Sequence, residues 1–100
     1  MVSKKSKTPY VIVRTYSAGV FAGNLISRRG KEVTLANVRR LWYWSGAASL
    51  SQVAMEGTKT PTTCKFSMAV SRETVTEAIE ILDVTPVAEA SIKAVPIWKM

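Results

Sequence analysis

The segment RRLWYWSGAASLSQ, residues 39–52, decides how the rest of the chain is arranged. It joins two adjacent arginines, three consecutive aromatic residues and a turn of small residues. Successive side chains of a strand point to opposite faces of the sheet, so the segment predicts a strand with two different faces. One face would carry Arg40, Trp42 and Trp44, and the other would carry Arg39, Leu41 and Tyr43.

A short helix is predicted directly after this strand. Ser49 and Gln52 have the spacing of a capping box, and Gly57 is suited to the position just after the C-terminus of a helix. The first N–H groups of a helix have no partner inside the helix and can bind an anion. The residues Ser45, Gly46 and Ser49 are therefore predicted to contribute polar contacts to an anion site.

Three strands are predicted on the N-terminal side. YVIVRTY, residues 10–16, is rich in β-branched residues and places Arg14 and Tyr16 on one face. Residues 20–27 return as a hairpin partner, and the basic turn 28–31 leads into a third strand at 32–44. A bulge is expected at residues 36–37, because 13 residues are long for one unbroken strand.

Two further strands and a helix are predicted on the C-terminal side. Residues 64–70 alternate as a strand, and residues 71–76 read as a polar turn. Residues 77–84 fit either a helical stripe or a strand, and we predict the strand. Thr85 and Pro86 have the character of N-cap and first residue of a final helix, which Pro96 ends.

The elements sum to the order β-β-β-α-β-β-α. This order predicts an α+β domain with a small antiparallel, curled sheet or open barrel of about five strands and two short helices. Residues 1–8 are expected to be a disordered basic N-terminus, and residues 9–100 a single domain. A domain of this size has a small hydrophobic core. Because contacts between subunits would add to its stability, a homo-oligomer is expected.

The net charge of +7 is concentrated in the first half of the chain. Residues 1–50 contain nine Lys or Arg and one acid, whereas residues 51–100 contain five Lys or Arg and six acids. A basic surface favours anionic partners, which include nucleic acid, nucleotides and acidic protein surfaces. The basic half is also the half that is rich in aromatic residues.

Composition argues against catalysis. The chain has no histidine and one cysteine, Cys64, so zinc sites and the usual histidine-dependent nucleophilic mechanisms are excluded. The carboxylates show no spacing typical of a magnesium site. We therefore predict a protein that is not an enzyme and uses no metal or cofactor. No apolar run reaches the roughly 18 residues of a membrane span, so no membrane partner is expected.

Arginine alternating with aromatic residues is typical of surfaces that stack planar bases and neutralise phosphates. The competing interpretation is that the tryptophans belong to the core and that Arg40 covers them. The candidate ligand-binding residues are Arg14, Tyr16, Arg39, Arg40, Trp42, Trp44, Ser45, Gly46 and Ser49.

Three motifs, YVIVRTYSAGVFAG, GKEVTL and RRLWYWSGAASLSQ, together resemble those of a family of short proteins encoded by tailed phages and prophages. The resemblance covers roughly residues 9–70. The family is identified with anti-CBASS sponge proteins, which sequester the cyclic oligonucleotide messengers of bacterial antiphage defence. The resemblance thus implies a phage protein of the host cytoplasm with a cyclic oligonucleotide as its partner. A symmetric oligomer would suit such a pseudo-symmetric ligand.

Two other classes of function stay open from the sequence. One is a nucleic-acid-binding phage regulatory protein that uses the same basic and aromatic surface. The other is a phage protein-interaction or inhibitor protein that docks on a host protein. The identity of the nucleotide, the oligomeric state and the choice of which tryptophan is buried are not determined at this level.

Overall fold

The computed structural model describes residues 8–99 and shows an α+β fold with one six-stranded sheet and two α-helices. The strands are β1 (Tyr10–Thr15), β2 (Val20–Arg29), β3 (Glu32–Tyr43), β4 (Lys65–Phe66), β5 (Val70–Val75) and β6 (Ala78–Asp83). The helices are α1 (Leu50–Glu56) and α2 (Pro86–Ala94), and a 3₁₀ turn spans Pro61–Thr63. The expected fold class is confirmed, with six strands in place of about five. The expected disordered start falls, apart from Thr8, outside the described residues.

All strand pairs in the described residues are antiparallel, and the sheet curls. Its order is β4-β3-β2-β1-β6, with β5 paired to the first part of β3. Although β5 and β6 lie at opposite edges, they are joined by only two residues. Val75 and Ala78 are therefore at most about 11 Å apart. The two edges approach each other at this end without pairing in the described part of the chain, so the curl is not closed.

Each face of the sheet has its own apolar cluster. The helices cover one face, where Val53 and Ile92 pack on Ile12 and Leu41. The other cluster contains no helix residue and fills the inside of the curl. Its buried members are Val11, Val13, Phe21, Val33, Leu35, Val38 and Val75. Because both faces are covered, β1 is apolar at nearly every position.

A bulge divides β3 where the sequence predicts one. Gly23 of β2 faces two residues of β3, Asn37 and Val38, and Asn37 has a φ of 51°. A Cβ atom at Gly23 would lie 3.0 Å from the Ala36 carbonyl oxygen, so the close approach of the two backbones favours glycine. Strand β5 pairs with β3 from Val33 to Ala36 and again at Val38, on the two sides of Asn37, whereas β4 pairs with the end of β3 at Leu41 and Tyr43.

The helix caps and the sixth strand follow the sequence signals. Ser49 Oγ accepts a hydrogen bond from the Gln52 N–H at 3.2 Å, and Thr85 Oγ1 accepts one from Ala88 at 3.1 Å. These bonds satisfy backbone donors that the helices cannot satisfy internally. The strand interpretation of residues 77–84 is confirmed by β6. Neither helix in residues 8–99 has the length and apolar character that a membrane span requires.

The predicted boundaries after Cys64 are wrong. The strand expected at 64–70 is reduced to β4, and the turn expected at 71–76 is instead β5. Ser67 still donates its backbone N–H to the Arg40 carbonyl at 3.0 Å, but the Arg40 N–H donates to Ser67 Oγ at 2.8 Å and not to a backbone carbonyl, so the regular ladder is interrupted here. The chain rejoins β3 at Val70, which pairs with Val38. Because β5 is an edge strand whose side chains are mostly exposed, its polar residues resemble a turn.

Candidate functional site

Arg39 and Arg40 lie on opposite faces of β3. The Arg39 side chain enters the space between the sheet and the C-terminal segment and is only 6% exposed. Its guanidinium donates hydrogen bonds to four backbone carbonyl oxygens. The acceptors are those of Ser67 at 2.7 Å, Ile92 at 2.8 Å, Phe66 at 3.3 Å and Pro96 at 3.4 Å. We call Arg39 and these four carbonyls the clamp.

The clamp is a structural use of arginine. Burial lowers the pKa of Arg39, and Tyr10 acts in the opposite direction. The positive charge is stabilised by carbonyl dipoles, including that of Ile92 at the C-terminal end of α2, and by the Phe66 ring, 5.5 Å from the guanidinium carbon. A phosphate would have to displace these bonds, so the donors of Arg39 are not available to a ligand in this arrangement.

Arg40 points to the other side, at the mouth of the curl. Its guanidinium carbon lies 4.8 Å from the centroid of the Phe21 ring and 5.1 Å from that of Trp42. Nη2 forms an ion pair with Glu73 at 3.7 Å, and about a third of the side chain is exposed. Arg40 is thus held by aromatic contacts that leave part of its charge accessible.

Arg40 and Trp42 line one open groove of about 360 Å³, which we call the groove. The Trp42 side chain is 56% exposed, so a flat apolar wall stands beside a cation and a carboxylate. Such a combination can stack a planar group and hold an anionic substituent. The groove is lined by Arg40, Trp42, Ser67, Met68, Val70 and Glu73.

The C-terminal segment extends this surface with a second tryptophan. Trp98 donates its backbone N–H to the Phe66 carbonyl at 2.9 Å, which fixes the segment beside β4. The Trp98 ring meets Trp42 edge to face, with centroids 6.4 Å apart, and Lys65 Nζ lies 5.5 Å from the Trp98 ring. Sequence reasoning missed Trp98, Lys65 and Glu73 as site residues, because their positions depend on pairing across 20 to 60 residues of chain.

Trp44 does not share the face of Trp42, contrary to the alternation. Strand β3 ends at Tyr43, and Trp44 turns back to pack, partly buried, on the cluster that contains Leu41. The strict two-residue period stops where the ladder stops. Trp42 is therefore the exposed member of the two tryptophans and Trp44 the core-facing one.

The predicted polar contacts at the end of the strand face a loop of the chain itself. We call residues 45–49 and the loop 58–63 the junction. Ser45 Oγ makes hydrogen bonds with the hydroxyls of Thr60, at 2.7 Å, and Thr63. A Cβ atom at Gly46 would lie 2.6 Å from the Thr60 nitrogen, so the loop is packed tightly on the turn. Ser49 caps α1. The hydroxyl groups of this junction are thus engaged within the chain.

Arg14 and Tyr16 do not line the groove. Arg14 Nε donates to the Glu80 carboxylate at 2.8 Å. Tyr16 is 80% exposed and lines a separate depression of about 290 Å³ with Lys31 and other residues. Of the nine predicted ligand-binding residues, the structure brings Arg40 and Trp42 together in an accessible groove. Within residues 8–99, no three acidic, thiol or imidazole side chains are close enough to hold a metal ion.

Comparison with known proteins gives a family without an assigned activity. The match is to a family described as a domain of unknown function, DUF6948, and it spans residues 8–92. No curated protein and no solved structure matches the chain. The matched range contains the clamp arginine, the groove, all of α1 and most of α2, and the chain belongs to the DUF6948 family.

Proposed function

We propose that this protein is a non-enzymatic phage protein that binds and sequesters cyclic nucleotide second messengers of bacterial antiphage defence in the host cytoplasm. The observation that supports the proposal is the exposed Trp42 ring beside Arg40 in the groove. The resemblance of the three sequence motifs to phage sponge proteins supports the choice of ligand.

The groove offers what one nucleotide unit needs. Stacking of a base on an aromatic side chain contributes roughly 1 to 3 kcal/mol, and Trp42 provides such a surface. Arg40 in the groove and Lys65 near Trp98 supply positive charge for the phosphates. Sequestration needs binding groups and no general base, so this chemistry does not depend on histidine.

A second copy of the chain would complete the site. The groove of about 360 Å³ is at the small end of ligand pockets and is open on one side. A cyclic dinucleotide carries two bases and two phosphates. An isologous dimer would present the same tryptophan and arginine twice, once for each half of the ligand. We therefore propose a homo-oligomer with the ligand between subunits.

Calorimetric titration against a panel of cyclic dinucleotides and trinucleotides tests the proposal. We expect saturable heat for at least one ligand, and recovery of the unchanged ligand after heat denaturation of the complex. Native mass spectrometry of the complex then reports the number of subunits per ligand. Absence of heat across the panel would contradict the proposal, and recovery of a hydrolysed ligand would show an enzyme.

The main alternative, nucleic-acid binding, has one specific observation in its favour. The tip between β2 and β3 carries Arg28, Arg29 and Lys31, and none of these has a carboxylate within ion-pair distance in residues 8–99. Binding through such cations weakens steeply with salt, because counterions are released from the nucleic acid. Fluorescence anisotropy with labelled DNA and RNA at 50 and 200 mM salt separates this function from messenger binding.

A further inference from the structure

We infer that the groove selects guanine bases through the carboxylate of Glu73. This inference rests on the proposed function, because it names the base that the same groove would receive. It concerns a residue that sequence reasoning did not single out. Glu73 lies on β5, where it pairs with Leu35 of β3 and lines the groove together with Trp42.

Glu73 is a largely covered acceptor with unused bonding capacity. Its side chain is only 27% exposed, and its one ion pair in residues 8–99 is the Arg40 contact at 3.7 Å. That distance is too long for a hydrogen bond. No described residue donates a hydrogen bond to the carboxylate, which offers about four lone-pair positions. The carboxylate is thus held in place by charge while its acceptor positions stay free.

A carboxylate is out of place in a groove that serves phosphate alone, because like charges repel. Arg40 balances its charge from 3.7 Å, which reduces the repulsion without occupying its oxygens. Such an acceptor suits neutral N–H donors of the ligand. The purine and pyrimidine bases carry these donors on their base-pairing edges, which a free nucleotide leaves accessible.

Guanine is the base whose edge matches a carboxylate. Its N1–H and 2-amino group are adjacent donors and can bind both carboxylate oxygens at once. Adenine and cytosine each place a ring-nitrogen acceptor beside their amino group, and this acceptor would face the negative oxygens. Uracil has one N–H between two carbonyl groups. A bidentate pair to the carboxylate is therefore available to guanine alone among the four bases.

The positions of the groove side chains are consistent with this arrangement. Arg40 stands between the two recognition elements, with its guanidinium carbon 5.1 Å from the Trp42 ring centroid and its Nη2 3.7 Å from Glu73. A base stacked on Trp42 would reach across toward Glu73 with its donor edge. The phosphate would then lie within range of Arg40, whose positive charge would face both the Glu73 carboxylate and the phosphate.

Titration of the full chain with cyclic di-GMP, cyclic di-AMP and cyclic di-IMP tests the inference. We expect cyclic di-GMP to bind at least about tenfold more tightly than cyclic di-AMP, the discrimination typical of a bidentate contact. Hypoxanthine keeps N1–H but lacks the 2-amino group, so cyclic di-IMP should bind with intermediate affinity. This comparison uses only the wild-type protein and does not depend on the folding of a variant.

The variant Glu73→Gln should change the affinities for the two ligands in opposite directions. Removing the negative charge should strengthen binding of cyclic di-AMP several-fold and weaken binding of cyclic di-GMP, so that the preference disappears. A purely electrostatic role would shift both affinities in the same direction and would overturn the inference. Glu80→Gln is the matched control, since Glu80 lies on β6 and pairs with Arg14 away from the groove; it should keep the guanine preference.

The outcomes separate this inference from the proposed function. Equal binding of the guanine and adenine ligands by the wild-type protein, or tighter binding of the adenine ligand, overturns the guanine inference and leaves messenger binding intact. Binding of none of the three ligands, nor of any other cyclic nucleotide in the panel, overturns both.

Discussion

Arg39 and Arg40 are chemically identical neighbours that the fold uses in opposite ways. Arg39 is buried and donates to four carbonyl oxygens of the clamp. Arg40 lies between two aromatic rings at the edge of the groove, with an ion pair that leaves its charge partly accessible. The comparison teaches that a cation beside aromatic residues is accessible to a ligand only where its N–H donors are not hydrogen-bonded inside the protein.

The largest expected effect is that of Arg39→Met. Loss of the guanidinium leaves four carbonyl oxygens without their donor, and we expect the free energy of unfolding to fall by roughly 3 to 5 kcal/mol. Urea denaturation followed by circular dichroism measures the change. Arg40→Met is the matched control and should cost less than about 1 kcal/mol, because its ion pair with Glu73 is partly exposed and, at 3.7 Å, too long for a hydrogen bond. Equal losses for the two variants would erase the distinction between clamp and groove.

Gly46→Ala tests whether the junction belongs with the buried region. Gly46 has a φ of 78°, and an added Cβ would meet backbone atoms of the loop 58–63. Strain and overpacking together should destabilise the protein by about 2 to 4 kcal/mol. Gly19→Ala has the same kind of backbone strain, at φ 107°, but open space around it, so it should cost only about 1 kcal/mol. A harmless Gly46→Ala would show that the loop 58–63 is not packed tightly on the turn.

The pH dependence of stability tests the environment of the buried residue Tyr10, which packs near the clamp. Burial raises the pKa of the Tyr10 hydroxyl to about 12, Glu89 acts in the same direction and Arg39 opposes it. The fold thus favours the protonated form. Its contribution is complete below the unfolded-state value of about 10 and is lost as the pH rises toward 12, amounting to about 2 to 3 kcal/mol.

Urea denaturation of wild type and Tyr10→Phe between pH 9 and 12.5 measures this contribution. Ionisations that the two proteins share cancel in the difference between the two curves, which therefore reports the hydroxyl of Tyr10. We expect the wild type to lose stability relative to Tyr10→Phe across this interval. Parallel curves would show that the hydroxyl of Tyr10 ionises as readily in the folded chain as in the unfolded one.

Trp42→Ala gives the smallest expected change and the most specific one. We expect affinity for the nucleotide ligand to fall by about 1 to 3 kcal/mol, with a change in unfolding free energy below that of Arg39→Met. Tyr43→Ala is a close control, because Tyr43 is the next residue of β3, 52% exposed, and on the opposite face. It should leave affinity unchanged. Equal losses of affinity would place the ligand over the end of the strand and not in the groove.

The site could be predicted only in part, and particular residues show why. Arg40 and Trp42 follow from strand alternation, which is a local rule and holds while the ladder lasts. The prediction that Trp44 shares the face of Trp42 is wrong, because the last residue of the strand is Tyr43 and the alternation ends there. The buried position of Arg39 could not be predicted, because its hydrogen-bond acceptors come from residues 66, 67, 92 and 96. These residues come close to Arg39 only when the sheet and α2 pack together. Glu73 was not predicted as a groove residue, because the polar residues around it indicated a turn and not a strand.

The sequence by itself determined the α+β class, the β1–β2–β3 meander, the bulge at Asn37 and the starts of both helices. These depend on side-chain period, glycine placement and capping residues within a few positions of each other. The tertiary structure alone decided that β5 is a strand, that Arg39 is a clamp and that Trp42, Trp98 and Glu73 share one surface. Burial and long-range pairing are properties of the packed sheet, and the local residue pattern does not contain them.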